Sequence, residues 1–176
     1  MYYGTIFVIV ILFLIIVIIT ILLTLSSDTL NRLPSNIYTD TLNSDITEQT
    51  FAVLTLIFLV GFTISLGVLV YYKSSLVSNP TVVNMNDNSF ISASRVDSFV
   101  YGFVGIILIG LLIVLALTWT SLDGINFFLS SFESVVTPET VTNVRDARSN
   151  TRIALALEVI ALLFVIFTIA GYASGS

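Results

Sequence analysis

The chain has 176 residues, of which 56% are hydrophobic and 10% charged, with a net charge of −5 and a mean hydropathy of +1.05. Soluble domains run about 45–50% apolar and about 25% charged, so an ordinary water-soluble fold is excluded. The absence of Cys and His also excludes disulfides, thiolate nucleophiles, histidine general bases, and zinc or haem ligation by these residues.

In chain order, the first element is the chargeless, largely aliphatic run Ile6–Leu25. A cleaved signal peptide has a basic start, a shorter apolar core and a small-residue cleavage site. This segment begins Met-Tyr-Tyr-Gly-Thr and ends at Thr24-Leu25-Ser26-Ser27-Asp28, so it is read as a retained span. Loop 26–50 follows, in which Asp45-x-x-Glu48 resembles a capping box ahead of the second run, Phe51–Tyr72. Loop 73–98 ends on Ser94-x-x-Asp97, a similar signal, before the third run, Phe99–Leu122.

Loop 123–152 is the most patterned. Ile125, Phe128, Leu129, Phe132, Val135 and Val136 recur at helical spacing, with Asn126, Ser130, Ser131, Glu133 and Ser134 between them. Phe127 alone is out of place. The spacing predicts an amphipathic helix over 125–136, set off from the third run by Asp123-Gly124 and lying in the membrane interface. Lipid and a protein surface both remain open as the cover of its apolar face. Thr137-Pro138-Glu139 then supplies an N-cap, a first-turn proline and an early acid. From there a helix would run from Pro138 to Tyr172, about 52 Å at 1.5 Å per residue. The poor helix formers Ser149, Asn150 and Thr151 offer a break instead.

The fourth run is Ile153–Tyr172. All four runs reach the roughly 20 residues that cross a hydrocarbon core about 30 Å thick. Together they contain one charged residue, Glu158. The expected fold is all-α: an integral membrane protein with four transmembrane helices in an up-down bundle plus the amphipathic helix, as one membrane domain over 1–176.

Four crossings put the termini and the middle loop on one side, A, and loops 26–50 and 123–152 on the other, B. Tyrosine favours the membrane–water interface. Tyr2, Tyr3, Tyr71, Tyr72, Tyr101 and Tyr172 all fall at side A span ends, with Tyr38 in loop 26–50 the exception, and Trp119 marks side B. Side B carries Arg32, Arg145, Arg148 and Arg152 against Lys73 and Arg95 on side A, a distribution that leans towards a cytoplasmic side B.

Glu158 is the first candidate site, because an ionisable group inside a membrane is costly. Thr20, Thr24, Thr55, Thr118 and Thr120 share the side B half of their spans and are expected to form a polar layer with it. Arg145, Arg148 and Arg152 are spaced to share one helix face and suit anionic headgroups, an acidic partner or simple anchoring of the helix end. Gly61 with Ser65, and Gly102, Gly105 and Gly110, are expected to mark close helix packing between spans two and three. No catalytic, cofactor-binding or metal site is expected. The small basic content leaves no surface for nucleic acid.

The very aliphatic spans, with Asn/Thr/Ser-rich segments such as Asn79–Asn88 and Thr137–Asn150, are similar in general character to small multi-pass membrane and minor capsid proteins of large icosahedral DNA viruses. That resemblance implies a protein tethering an internal virion membrane to a capsid shell. The residues themselves point to a non-enzymatic structural or assembly protein. Its expected partners are the lipid bilayer and other subunits of a larger assembly, met through loops 26–50 and 123–152. The alternatives are a small ion or proton channel, or an accessory subunit of an energy-transducing complex, built on Glu158.

Overall fold

The computed structural model describes residues 3–78 and 93–174, with side chains for 3–75 and 96–174. Tyr2 and the segment Asn79–Asn88 lie outside the described residues, as does the Ser94 side chain of the second capping signal. Four long helices carry the fold: α1 (Tyr3–Asn31), α2 (Asn43–Ser78), α3 (Ala93–Phe132) and α4 (Pro138–Ser174). A 3-10 turn, Thr39–Leu42, leads into α2. All four helices are long and apolar enough to cross a membrane, as expected of a multi-pass membrane protein.

The helices close into a ring in which α1 packs on α2 and α4, and α3 packs on the same two. This is the neighbour set of an up-down bundle, the all-α fold expected from the sequence. Close packing is therefore not confined to spans two and three. α1 turns one stripe inward, Thr5, Ile9, Leu12, Ile16, Ile19, Leu23, Ser26 and Leu30. These residues alternate in steps of four and three. The same rhythm runs through Val144, Ala147, Thr151, Ala154, Glu158, Ala161, Val165, Thr168 and Tyr172 on α4. A strict 3.5-residue repeat of inward positions is the geometry of left-handed, coiled-coil-like packing.

The helices run on past the apolar spans, and their side B extensions pack on one another. Leu30, Leu42, Ile125, Phe128, Leu129, Val141, Val144 and Ala147 form a second core, separate from the one within the spans. No single connecting segment could bury such a core, but four helix ends together do. We call this assembly the head.

The head corrects two expectations. Residues 125–132 are not a separate interfacial helix: α3 continues through Asp123-Gly124 without interruption and ends at Phe132. A helical glycine costs about 1 kcal/mol relative to alanine but leaves the backbone hydrogen bonds intact. Nor does lipid cover the apolar face, since Ile125, Phe128 and Leu129 are buried against α1, α2 and α4 residues. Phe127 and Val135 remain exposed. The longer reading of the fourth helix holds: α4 starts at Pro138 and passes through Ser149-Asn150-Thr151 unbroken. Thr137 caps it, its Oγ1 accepting from the Thr140 amide at 3.3 Å. The start of α2 differs from the capping-box reading. The helix begins at Asn43, and Asp45 lies in its first turn.

Candidate functional site: a polar layer at the foot of the head

Where the head meets the bundle, each helix contributes one polar side chain to the core. They are Ser26, Gln49, Ser121 and Thr151, all 0% exposed. Gln49 Nε2 donates to Ser121 Oγ at 2.9 Å and to Thr151 Oγ1 at 3.1 Å. Ser26 and Thr151 share a hydroxyl–hydroxyl bond of 2.9 Å, and Ser26 also donates to the Ala147 carbonyl at 3.1 Å. Ser121 donates to the Asp45 carbonyl at 3.4 Å. Every one of these residues sits at an inward position of its helix, so the layer is built into the heptad repeat.

Asp45 lies on the head side of this layer and is only 5% exposed. Its carboxyl lies against Gly124 of α3: a Cβ at Gly124 would stand 2.0 Å from Asp45 Oδ1. Glycine is required there because two helices and a carboxyl meet at one point. Burial pushes the Asp45 carboxyl up to about 7, and the nearby Glu48 carboxylate adds to the effect. Asp45 precedes the apolar run by six residues, on the head side of the membrane.

The inward step next to the layer, on the membrane side, brings Leu23, Ala52, Thr118 and Ala154 together; the step after that brings Ile19, Leu56, Val114 and Glu158. Thr118 Oγ1 donates to Glu158 Oε1 at 2.7 Å, with both residues 0% exposed. The second oxygen, Oε2, has no partner among the described residues, and neither has Gln49 Oε1.

Of the five threonines expected beside Glu158, only Thr118 reaches it. Thr20, Thr24 and Thr55 each donate to a carbonyl of their own helix, Ile16, Thr20 and Phe51 respectively. Thr120 is turned outward, bonding Glu48 Oε2 at 2.8 Å. The layer that does form was missed at all four positions: Ser26, Gln49 and Thr151 fall just outside the apolar runs, and Ser121 lies within the third run but was not among the expected residues. The spacing Ala147, Thr151, Ala154, Glu158, Ala161 was the available signal, since small and polar residues recur there at 3.5-residue intervals.

The arginine stripe is divided. Arg145 is exposed and paired with Glu133 at the end of α3. Arg148 is half-buried and Arg152 exposed. Among the packing residues, Gly110 meets the expectation: a Cβ there would lie 2.6 Å from Leu59 Cδ2 of α2. Gly61, Gly102 and Gly105 do not, because a Cβ at any of them would meet nothing within 4 Å. Ser65 points outward too, bonding the Gly61 carbonyl at 3.0 Å.

Tyr3, Tyr71, Tyr72 and Tyr101 are exposed on the bundle surface at side A, and Trp119 at side B. Tyr172 is 4% exposed and belongs to the core. Its hydroxyl donates to Asp97 Oδ1, which also accepts from Lys73 Nζ. The Lys73 ammonium lies 4.8 Å from the Tyr172 ring centroid. These three residues tie α2, α3 and α4 together at side A. The two hydrogen bonds hold the Asp97 carboxyl below the usual carboxylate range.

Among the described residues no group of acids could hold a metal ion. No family model, curated protein or solved structure matches the chain.

Proposed function

We propose that this protein is a non-enzymatic structural or assembly protein of a membrane, whose bundle anchors the side B head so that the head can dock a larger complex. The observation that carries this reading is the shared core of the head, built from extensions of all four spanning helices. Side B is thereby a shaped surface rigidly joined to the membrane. Its tip presents Ile37 at 78% exposure and Val135 at 56%. Singly exposed apolar groups need no partner to explain them, but these two stand on the side B loops through which this reading has a partner dock. Arg148 and Arg152, at the base of the head, suit anionic headgroups or acidic side chains. In a virion, the same arrangement would tether an internal membrane to a capsid shell.

What favours this over conduction through the bundle is its packing. The layers Ile16–Leu59–Leu111–Ala161 and Leu12–Thr63–Ile107–Val165 are each at most 2% exposed. A conduit needs polar lining or broken helices at mid-depth.

The test is copurification from the native membrane with Ile37→Asp and Val135→Asp combined. The variant should insert and fold as before while the large assembly is lost. Retention of the assembly would overturn the reading.

A further inference from the structure

Glu158 is a buried carboxyl that the anchoring role does not use. It lies seven residues past Thr151 on α4, roughly 10 Å deeper along the helix axis. The inward positions facing it are Ile19 on α1, Leu56 on α2 and Val114 on α3, none of which titrates. Every other charged residue of these helices lies outside the apolar spans; the nearest are Asp28, Glu48, Asp123 and Arg152 towards side B, with Asp45, Arg148, Asp146, Arg145 and Glu139 beyond them, and Lys73 and Asp97 towards side A. The ion pairs among the described residues are Arg32–Asp28, Lys73–Asp97 and Arg145–Glu133; none involves Glu158. Its Oε1 takes one hydrogen bond from Thr118, and its Oε2 has no partner among the described residues. One hydroxyl donor does not offset the cost of a bare carboxylate in hydrocarbon. A proton on Oε2 removes that charge.

The surroundings differ on the two sides of Glu158. Towards side B, Thr118 is followed one turn along α3 by Ser121, which joins Gln49, Thr151 and Ser26. Hydroxyls both donate and accept, which makes Thr118 and Ser121 the groups on this side able to exchange a proton, although no hydrogen bond joins the two among the described residues. Ala52 and Ala154 are the small side chains between the Gln49 layer and Glu158. Towards side A the next layer is wholly apolar (Ile16, Leu59, Leu111 and Ala161). In the layer after it, the Thr63 hydroxyl is committed to the Leu59 carbonyl at 2.7 Å. We propose that Glu158 is a proton-binding site that fills and empties through the side B hydroxyls and is closed to side A.

Infrared spectroscopy of the protein in proteoliposomes tests this. The protein should show a carboxylic-acid C=O band that shifts in D2O, disappears in Glu158→Gln and persists in Asp45→Asn, which removes the other buried acid among the described residues. Thr118→Val should move the band as its hydrogen bond is lost and slow its deuteration by about tenfold or more. This second variant assigns the band even if Glu158→Gln fails to fold. A pH jump across the same vesicles should give no proton flux that depends on Glu158. Absence of a Glu158-dependent acid band overturns the proposal. So does deuteration unaffected by Thr118→Val, or transmembrane flux that Glu158→Gln abolishes.

Discussion

The Thr118 hydroxyl and the Glu158 carboxyl form a 2.7 Å hydrogen bond between α3 and α4, with both side chains sealed inside the bundle. Removing the donor leaves a buried acceptor unsatisfied, which costs about 1–3 kcal/mol. Thr118→Val should therefore destabilise the bundle by that amount. Thr118→Val combined with Glu158→Leu should recover most of the loss, because an apolar pair leaves nothing unsatisfied. Thermal unfolding of both variants in one detergent checks this, and equal losses in the two would contradict it.

At the head, Gly124→Ala puts a methyl group where the Asp45 carboxyl now lies. A short side chain and a helix backbone have little room to yield, so the substitution should cost about 1–3 kcal/mol. Asp45→Ala removes the obstacle, and the double variant should be more stable than Gly124→Ala alone. Chemical denaturation of the three proteins measures the coupling.

Asp45 also gives the head a pH dependence. Its pKa is raised from 3.8 to about 7 by burial and by Glu48. The folded form thus holds a proton that the unfolded chain releases more readily. The contribution of this group is fully present below about pH 4 and is lost as pH rises through about 7. Asp45→Asn, which cannot titrate, should flatten the fall in stability between those limits. A slope unchanged in Asp45→Asn would assign it to another group.

Two kinds of glycine should separate cleanly on substitution. Gly110→Ala pushes a methyl group against Leu59 and should destabilise by about 1–3 kcal/mol, with Leu59→Ala relieving it. Gly61→Ala and Gly102→Ala enter open space and should change stability by no more than about 0.5 kcal/mol, or raise it slightly through helix propensity. A helix-packing role for Gly61 would reverse that order.

Gln49→Leu should break the bonds to Ser121 and Thr151 at once and cost about 1–3 kcal/mol. The wider consequence concerns register. Polar residues at core positions of coiled coils fix alignment. Replacing Ser26, Gln49, Ser121 and Thr151 together with apolar residues should loosen the pairing of helices even where stability is kept. Cysteine cross-linking between α1 and α4 in the cysteine-free chain reads that directly, as extra cross-linked registers.

The spans were plain in the sequence because charge is swept from four long runs and a transmembrane helix has to be apolar throughout. The same fact hid the inward faces. Phe7, Leu14, Ile18 and Leu25 on the outer surface are as hydrophobic as Ile9, Ile16 and Leu23 in the core, so periodicity of hydropathy has no contrast to display. The Thr137 cap was legible because it depends on three consecutive residues. The head was not, since its core gathers residues from Leu30 to Ala147 and each segment alone looks like a loop. Gly61 and Ser65 misled because small size marks a packing face only when a neighbour occupies it. Glu158 announced itself by its charge, and its partner Thr118 was one of several threonines at similar depth that sequence alone could not separate.

Because α3 and α4 pass from bundle to head without a break, the molecule behaves mechanically as a rivet. A load on the head is carried straight down continuous rods, with no hinge in either helix to absorb it. Extraction would have to drag four apolar shafts from the lipid together, while a sideways pull would be shared by the whole ring. A partner gripping the side B tip would thus be held at a fixed height and tilt above the membrane.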